Sequence, residues 1–566
     1  MLLSALIDYQ QRPGHRRSPP GYRPATIHWW IDLDLAGALV GIRRTADGAG
    51  PRGGKVGVSV PVPYVRATNN VAARLLADTA SNALGHPWPM VDARHRARTI
   101  LGHAAFRDMV RECAHDTGEA AVATVARFLD HVTLAHLELP HDLHTVDSMA
   151  YRVADGRPVV ELPAVQAWWA SRQEQGQRER CLHCGDQRAI SRVHPFVRGI
   201  PGGKPSGMAL VSANSPAFQS YGRTQGYNAP LCNGCAQAYT SALSELLGDR
   251  RVCFDLPSSK TTVLLWTEDG SPHELTQLLA DPEGYGLGSL AGYATPTPAG
   301  PAQDVRLRCA VLTPSGSRLV VRDWIETNLD AARRNVATFF QKQAVSSGDS
   351  QPRRFGIPTL ERALHQRGGH RQKGDGFHDP PLVAAALLRN ALLGQPPPPL
   401  VLHLALRRFA VSQPRPDRGG LHLGQPLVAV IRLALTGQAG RESHEQSPID
   451  DGASAGYLCG RLFSLIGATQ PGAHRYYGPA SSVPAAILRP LLSRSRQGLA
   501  RIRRADPALA GHYEKRIADV SSRIGELPAS LSLHQQGWFA LGYHDQRAGV
   551  VSPPTAAGLR TETRAA

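Results

Sequence analysis

Two Cys-x-x-Cys pairs, Cys181/Cys184 and Cys232/Cys235, lie on either side of a polar segment of the chain. The 47 residues between the pairs, 185–231, are rich in Gly, Ser, Asn and Arg and lack the periodic apolar pattern of a helix or a strand. Each pair directs two thiolates at one point, and two pairs complete the tetrahedral sulfur shell that structural zinc prefers. We therefore predict a structural Zn²⁺ bound by the four cysteines, with the polar segment closed into a loop.

Two alternatives to a zinc site are open on the sequence. The interval between the pairs is longer than the roughly 15 to 20 residues of an ordinary two-knuckle site, so they can also be two unrelated reduced pairs. A redox function is less favoured, because a thioredoxin-type site uses one pair at a helix start and not two facing pairs. The remaining cysteines are scattered and do not resemble a secreted disulfide framework: Cys113, Cys253, Cys309 and Cys459.

The chain of 566 residues is strongly basic, with a formal net charge of +17 and a pI near 9.9. A basic surface concentrates phosphate backbones and releases their counterions, so we expect a polyanionic partner. Charge alone leaves DNA, RNA and anionic membrane surfaces open. Nearly all of the positive charge is Arg, which suits bidentate contacts with phosphates and base edges, although a GC-rich genome produces the same bias.

The N-terminus and the apolar runs bear on the compartment. The opening MLLSALIDYQ lacks a basic region and soon reaches Asp8, so it does not match a signal peptide. The longest apolar runs, such as LVAAALL before Arg389, are well short of the roughly 20 residues that span a membrane. We therefore expect a cytoplasmic protein.

The part of the chain before the cysteine pairs predicts a mixture of helices and strands. A short amphipathic helix over residues 1–12 precedes the extended stretch IHWWIDLDLAGALVGI. Residues 93–137 and 162–180 show helical periodicity. An opening of this kind suits a mixed sheet covered by helices.

The part that follows the cysteine pairs continues this mixture. It begins with a helix, AYTSALSELLG, a strand, TTVLLW, and a hairpin, VRLRCAVLTPSGSRLVVRDW, whose turn contains Pro314, Ser315 and Gly316. A long helix is then expected to begin near Asp323, with Trp324 on its apolar side. From about Leu382 the pattern becomes almost entirely helical.

We therefore expect an α+β chain, in which a mixed α/β region with a zinc-knuckle insertion precedes an all-α bundle. Breaker-rich stretches, VSSGDSQPRRFG and QRGGHRQKGDGFHDPP, separate the two parts. The predicted domains are an N-terminal mixed region at 1–180, the zinc-knuckle segment at 181–240, a sheet and long helix that complete the N-terminal domain at 241–355, and the helical bundle at 380–566.

The polar segment between the cysteine pairs offers side chains of the kind that contact nucleic acids. Asn, Gln and Arg carry donors and acceptors that fit base edges and phosphates, and Tyr stacks on a splayed base. The alternative is that the Asn and Gln side chains cap turns. The candidates are Asn214, Gln219, Tyr221, Arg223, Gln225 and Asn228.

Two further stretches suggest contacts with nucleic acid. One is a Gly-rich loop and the helix start that follows it, for which a solvated loop with an Asn cap is the alternative. The other is the pair of Arg-rich helices near the C-terminus, for which a solvated charged face is the alternative. The candidates are Lys55, Arg66, Asn69, Asn70 and Arg74 in the first stretch and Arg494, Arg501 and Arg504 in the second.

Several sequence blocks carry a resemblance to a known family. They are MLLSALIDYQQR with PPGY and IHWWIDLDLAG; LVSANSPAFQSYGRTQGYNAP with AYTSALSELL and TTVLLW; and AGYLCGRLFSLIGATQ, RYYGPASSVPAAIL and LHQQGWFALGYHDQR. The blocks keep their order, span nearly the whole chain and resemble the large subunit of the type I-C CRISPR surveillance complex (Cascade).

The resemblance implies a non-catalytic subunit of an RNA-guided antiviral complex. It implies contact with the 5′ end of the guide RNA, recognition of the protospacer-adjacent motif in duplex DNA, help in forming the R-loop, and recruitment of a separate helicase-nuclease. Base pairing reads the target in such systems, so a few protein side chains suffice for the flanking motif. The implied partners are guide RNA, target DNA, and the backbone, guide-processing and small subunits of Cascade. The C-terminal helical bundle is expected to resemble the small subunit.

Two other functions compete with this interpretation. In an HNH-type nuclease, zinc knuckles flank a catalytic histidine, and His194 would be the general base with Asn228 as a second element. Such a metal site needs carboxylate or His ligands beside the base, and the segment between the pairs contains one acidic residue, Asp186. The third function is a generic basic scaffold, which would bind RNA broadly and without dependence on a flanking motif.

Overall fold

The computed structural model divides the chain into two compact units. Unit 1 comprises Met1–Gly248 together with Pro314–Leu319, and unit 2 comprises Asp249–Thr313 and Val320–Ala566. The domain boundaries expected from the sequence stay a prediction. The residues that the structure describes are 1–15, 18–46, 56–65, 73–85, 93–131, 138–285, 305–345, 352–365, 382–411, 424–436, 454–470 and 473–548.

Unit 1 contains helices and strands in mixed order. Its helices are α1 (Leu2–Gln11), α2 (Ala80–Leu84), α3 (Ala93–Thr117), α4 (Ala120–His131), α5 (Pro163–Gln173) and α6 (Asn233–Gly248). Its strands are β1 (Tyr22–Ile27), β2 (Trp29–Leu33), β3 (Leu39–Arg44), β4 (Val58–Pro63), β5 (Ala77–Thr79), β6 (Ser148–Val153), β7 (Arg178–Arg180) and β8 (Gln187–Ala189).

A four-stranded sheet in the order β3-β2-β6-β5 forms the centre of unit 1. Strand β2 runs parallel to β6 and antiparallel to β3. Its alternate residues Trp29, Ile31 and Leu33 are buried in the apolar core, as the period of a strand requires. Asp32 on the same strand is also buried, and its carboxylate forms ion pairs with Arg43 at 2.6 Å and Arg152 at 2.8 Å, which offset the cost of burying the charge.

Unit 2 combines a second sheet with a set of helices. Its strands are β9 (Cys253–Leu256), β10 (Thr261–Thr267), β11 (Arg306–Ser315) and β12 (Arg318–Asn328), although the turn of the β11/β12 hairpin belongs to unit 1. Its helices are α7 (Leu275–Ala280), α8 (Pro282–Tyr285), α9 (Leu329–Lys342), α10 (Ile357–Leu364), α11 (Leu382–Leu393), α12 (Pro399–Val411), α13 (Gln425–Thr436), α14 (Ala455–Thr469), α15 (Tyr477–Ser482), α16 (Pro484–Ala505), α17 (Pro507–Ile524) and α18 (Leu533–Arg547).

Helices α14 and α18 of unit 2 pack with their backbones almost in contact. An ideal Cβ added to Gly460 on α14 would lie 2.0 Å from the carbonyl oxygen of Phe539 on α18. One added to Gly542 on α18 would lie 2.0 Å from the carbonyl oxygen of Tyr457 on α14. These helices therefore need glycine at the crossing, since the volume of any side chain would push them apart.

The predicted fold class is confirmed. The N-terminal half is mixed α/β with sheets and a cluster of four cysteines, and the C-terminal half is helical. Helix α1, strands β2 and β3, strand β10, the β11/β12 hairpin and the helices from Leu382 onward lie where the sequence predicts them. In the described part of the chain, no helix combines the length and apolar character needed to cross a membrane.

Two local predictions were wrong. The expected helix start near Asp323 is still part of β12, because this segment stays paired with β11 as far as Asn328. Helix α9 begins only at Leu329, where the Asn328 side-chain oxygen accepts the backbone N–H groups of Asp330 and Ala331 at 2.9 and 3.1 Å. Residues 178–180, expected at the end of a helix, form β7 because they pair with β8.

Candidate metal centre and nucleic-acid interface

The first cysteine pair lies in the hairpin formed by β7 and β8. Cys181 directly follows β7, and its N–H donates to the carbonyl of Asp186 at 3.0 Å. The chain turns back at Gly185, whose φ of +78° favours glycine and whose N–H donates to the Cys181 carbonyl at 3.1 Å. This tight turn places the Cys181 and Cys184 thiols on one side of the hairpin.

The second pair joins the end of the polar segment to helix α6. Cys232 forms a β-bridge with Ile190, and the N–H of Ser191 donates to the Leu231 carbonyl at 2.9 Å. Cys235 lies in the first turn of α6. The hairpin and the helix start therefore bring together pairs whose inner cysteines are 48 residues apart.

The four sulfur atoms form one compact cluster. All of them lie within 4.8 Å of one another, and the Sγ atoms of Cys184 and Cys232 are 4.0 Å apart. A tetrahedral zinc site with Zn–S bonds of about 2.3 Å requires sulfur atoms about 3.8 Å apart, so the arrangement fits such an ion. Three of the cysteines are buried and Cys184 is exposed. The four cysteines could therefore bind a metal ion such as zinc.

The thiols of this cluster are electrostatically linked. Hydrogen bonds from the Cys235 thiol and backbone, together with those from Cys181 and Cys184, lower the pKa of Cys232 to about 5. The proton that Cys235 donates to Cys232 is held there, which raises the pKa of Cys235. Backbone N–H groups also contact the sulfurs, since Cys232 N lies 3.3 Å from Cys181 Sγ. The cluster thus favours a thiolate, the form that binds a metal.

The polar segment ends in a loop, residues 214–228, that hydrogen bonds hold in a defined shape. The Asn228 side chain accepts the Ser220 N–H at 2.8 Å and donates to the carbonyls of Arg223 and Gln225 at 2.9 and 3.1 Å. The Arg223 guanidinium donates to the Tyr227 carbonyl at 3.0 Å. Asn228 therefore uses its amide within the loop, which is the turn-capping alternative that the sequence left open.

This 214–228 loop is also fixed to the rest of unit 1. The Gly226 N–H donates to the Arg192 carbonyl at 2.9 Å, and a Cβ at Gly226 would lie 2.1 Å from the Ser191 carbonyl oxygen. The Arg223 guanidinium forms an ion pair with Glu179 of β7 at 3.2 Å. Ser191 and Glu179 flank the cysteine hairpin, so the loop is attached to the structure that a metal would stabilise.

Arg318 contacts the 214–228 loop, although it was not among the candidates predicted from the sequence. Its guanidinium donates to the Asn214 side-chain oxygen at 2.6 Å and lies 3.8 Å from the centre of the Phe218 ring. The start of β12, which carries it, is bonded to the polar segment through Ala209, whose carbonyl accepts the Leu319 N–H at 2.9 Å. An arginine at the start of a strand, 104 positions away in sequence, carries no local signal for this contact.

The same loop presents aromatic groups to solvent. Tyr221 is fully exposed at 100% with a φ of +53°, and Phe218 is 50% exposed. Gln225 also has a positive φ, of +49°. Non-glycine residues rarely adopt this backbone conformation unless the surrounding structure enforces it, and it often accompanies function. Gln219 is half-buried in the same loop.

The second predicted stretch is described only at its end. Lys55, Arg66, Asn69 and Asn70 lie outside the described residues. Arg74 forms a bidentate pair with Asp78, whose Oδ1 accepts from its Nε and Nη2 at 3.3 and 3.2 Å. Asp78 thus accepts two of the five N–H donors of this guanidinium, so contact of these two groups with a phosphate would have to compete with the carboxylate.

The arginines of helix α16 divide into two faces. Residues that are seven or three positions apart share one side of a helix. Arg494, Arg501 and Arg504 are exposed on one face, and their guanidinium groups have no hydrogen bond or ion pair within the described residues. The other face contains Arg489, Arg496 and Arg503, of which Arg503 pairs with Glu514 of α17.

The proposed general base of the nuclease alternative is buried. His194 is 2% exposed, and its Nδ1 lies 3.0 Å from the hydroxyl of Tyr239. A general base has to reach a proton of the substrate, which this position does not allow. Among the described residues, the four cysteines form the one cluster of potential metal ligands, and cysteine-only sites are structural rather than hydrolytic.

A comparison with known protein families gives a match over most of the chain. The family described as "CRISPR-associated protein (Cas_Csd1)" matches residues 6–551 of the chain, which is nearly its whole length. No curated protein matches the chain.

Proposed function

The chain belongs to the Cas_Csd1 family, the large subunit of type I-C Cascade, whose members are generally non-catalytic, and we propose that it recognises the protospacer-adjacent motif in duplex DNA. In this proposal it also contacts the 5′ end of the guide RNA and helps to open the duplex. It then recruits a separate helicase-nuclease to the displaced strand.

The 214–228 loop is the observation that carries the proposal. Readout of a short motif needs a few polar side chains whose positions are fixed before DNA arrives. This loop is held by the Asn228 side chain and by the close packing of Gly226, and it leaves Tyr221 fully exposed. Within the loop, Asn214 and Phe218 orient the guanidinium of Arg318, a group that suits both guanine and phosphate.

The cysteine cluster is proposed as a structural zinc site. Cys181, Cys184, Cys232 and Cys235 would hold the ion, which would crosslink the β7/β8 hairpin to the start of α6. Because Gly226 and Arg223 attach the loop to residues near this hairpin, the crosslink would limit the motion of the loop. The metal thus has no part in hydrolysis in this proposal.

The proposed partners follow from charge and family. The net charge of +17 favours a complex with guide RNA and target DNA, whose backbones are polyanionic. The exposed arginines on α16 are available for the backbone of a strand. We propose that the backbone, guide-processing and small subunits of Cascade complete the assembly, as the family implies.

Binding of the reconstituted guide-loaded complex to a duplex library tests the proposal. The library keeps one guide-complementary target and varies the flanking trinucleotide. Tyr221→Ala and Gln219→Ala are expected to flatten the preference among flanking sequences, because removal of a single stacking or base-edge interaction costs about 1–3 kcal/mol. Affinity for complementary single-stranded DNA should stay unchanged, since base pairing provides it.

Tyr476→Ala is the matched control, because Tyr476 is also an exposed tyrosine but lies in unit 2. It should leave the preference intact. If both loop variants discriminate between flanking sequences as well as the unaltered protein does, the loop does not read the motif.

A further inference from the structure

Unit 1 contains a cavity with a volume of about 430 Å³ that is lined by none of the four cysteines. Its walls come from strand β1, from Tyr64 directly after β4, from helices α1 and α6, and from the segment that contains Pro195, Phe196 and Arg198. Its volume is within the range of about 300 to 1,000 Å³ that small-molecule sites occupy. The residues used below that line it are Arg23, Tyr64, Arg198, Ser241 and Glu245.

Two arginines make this cavity electropositive. The Arg23 guanidinium lies over the Tyr64 ring, 4.6 Å from its centre, and has no hydrogen bond or ion pair within the described residues. Arg198 is exposed at the cavity and likewise lacks such a partner in the described part of the chain. Burial and the neighbouring Arg198 charge lower the pKa of Arg23 to about 10. Two cations held together without a counter-charge favour an anion between them.

The carboxylate of the cavity does not neutralise this pair. Glu245 lies 3.6 Å from Arg12 Nη2, so its charge is shared with another cation, and 3.1 Å from His15 Nε2. The Tyr64 hydroxyl accepts the Phe196 N–H at 3.0 Å, which fixes the ring under Arg23 and leaves the phenolic proton to be donated. The Ser241 hydroxyl adds a further donor to the lining.

We propose that this cavity binds a phosphate group carried by a nucleotide, with Arg23 and Arg198 as its charged ligands. Arginine pairs match phosphate oxygens in geometry and charge, and neutral donors such as Tyr64 and Ser241 complete the shell. The volume leaves room for the sugar and base beside the phosphate. The site is separate from the 214–228 loop and does not depend on that loop reading DNA.

Calorimetric titration of the full chain with uridine 5′-monophosphate tests the site, with uridine as the probe that lacks phosphate. The unaltered protein should bind the monophosphate at least about tenfold more tightly than uridine, as a charged hydrogen-bonded pair implies. Arg23→Met keeps an extended side chain over Tyr64 without the charge, and Arg198→Ser changes an exposed residue. Each should weaken binding of the monophosphate by about tenfold and leave binding of uridine unchanged.

Arg192→Ser is the matched control, since Arg192 is an exposed arginine of the neighbouring segment that does not line the cavity. Equal binding of uridine and its monophosphate, or an Arg198→Ser variant that binds as the unaltered protein does, overturns the proposal. A diuridylate with and without a 5′-phosphate identifies the source of the group. Tighter binding of the phosphorylated form supports a strand end, and equal binding supports an internal phosphodiester.

Discussion

The guanidinium of Arg318 donates to the side-chain oxygen of Asn214 at 2.6 Å, although the two residues are 104 positions apart. Arg318 is the first residue of β12 and Asn214 belongs to the polar segment, and both lie in unit 1. The same guanidinium lies over Phe218, so two contacts fix its direction. A guanidinium that is oriented before DNA arrives loses less entropy on binding than a mobile one.

We predict that Arg318→Ala and Asn214→Ala both weaken duplex binding by the guide-loaded complex. Removal of the Arg318 guanidinium should cost about 1–3 kcal/mol of binding free energy, because a charged group no longer reaches the DNA. Removal of the Asn214 amide leaves the charge of Arg318 in place but no longer holds the guanidinium in one orientation. The loss of duplex affinity in Asn214→Ala should therefore be smaller. In a double-mutant cycle of duplex affinities, the two effects should therefore be less than additive. Strict additivity would show that Asn214 does not act through Arg318.

We predict that purified protein contains one zinc per chain and that Cys232→Ser loses it. Metal analysis of the two proteins measures this directly. Without the ion, residues 185–231 should exchange their amide hydrogens faster, because the cluster joins the two ends of this segment. Duplex affinity should fall as well.

Cys459→Ser is the control for this prediction. Cys459 is a buried cysteine of unit 2, outside the cluster. It should keep the metal and the exchange pattern of residues 185–231. Unchanged exchange in Cys232→Ser after loss of the metal would contradict a structural role for zinc.

The sequence predicted the cysteine cluster because two short pairs carry their ligand geometry locally. Cys181 and Cys184 lie in one turn, as Cys232 and Cys235 do, so only the meeting of two turns had to be inferred. The amphipathic helices were equally accessible, since their apolar spacing is a local property.

Arg318 could not be predicted from the sequence, for a physical reason. Its position beside Asn214 depends on the β-bridge between Ala209 and Arg318 at the start of β12, which is a tertiary contact. The end of β12 was missed for a related reason: Trp324 fits a helical apolar pattern, and only pairing with β11 keeps it in a strand. Local propensity gives way to such contacts.

We predict that Gly460→Ala destabilises unit 2 by about 1–3 kcal/mol, the usual cost of overpacking. The added Cβ would lie 2.0 Å from the Phe539 carbonyl, and both backbones are helical and cannot yield easily. Gly467→Ala on the same helix is the control, because its Cβ would meet nothing within 4 Å. That change should be neutral or stabilise the helix by about 0.5–1 kcal/mol. Urea unfolding followed by circular dichroism compares the two variants, and an equal loss of stability in both would argue against the close crossing.

We predict that the two arginine faces of α16 contribute differently to strand binding. Replacing Arg494, Arg501 and Arg504 together by Ser should reduce the dependence of log K on log salt by about 0.7–0.9 for each phosphate that the protein no longer neutralises. The matched variant replaces Arg489, Arg496 and Arg503, so that both variants lose the same charge. The second set should change the slope less, because Glu514 already pairs with Arg503. Affinities of the guide-loaded complex for target DNA, measured from about 50 to 200 mM KCl, give both slopes. A strand that follows one face of the helix should be affected more by loss of the arginines on that face. Equal slopes in the two variants would therefore mean that only the net charge of the protein matters.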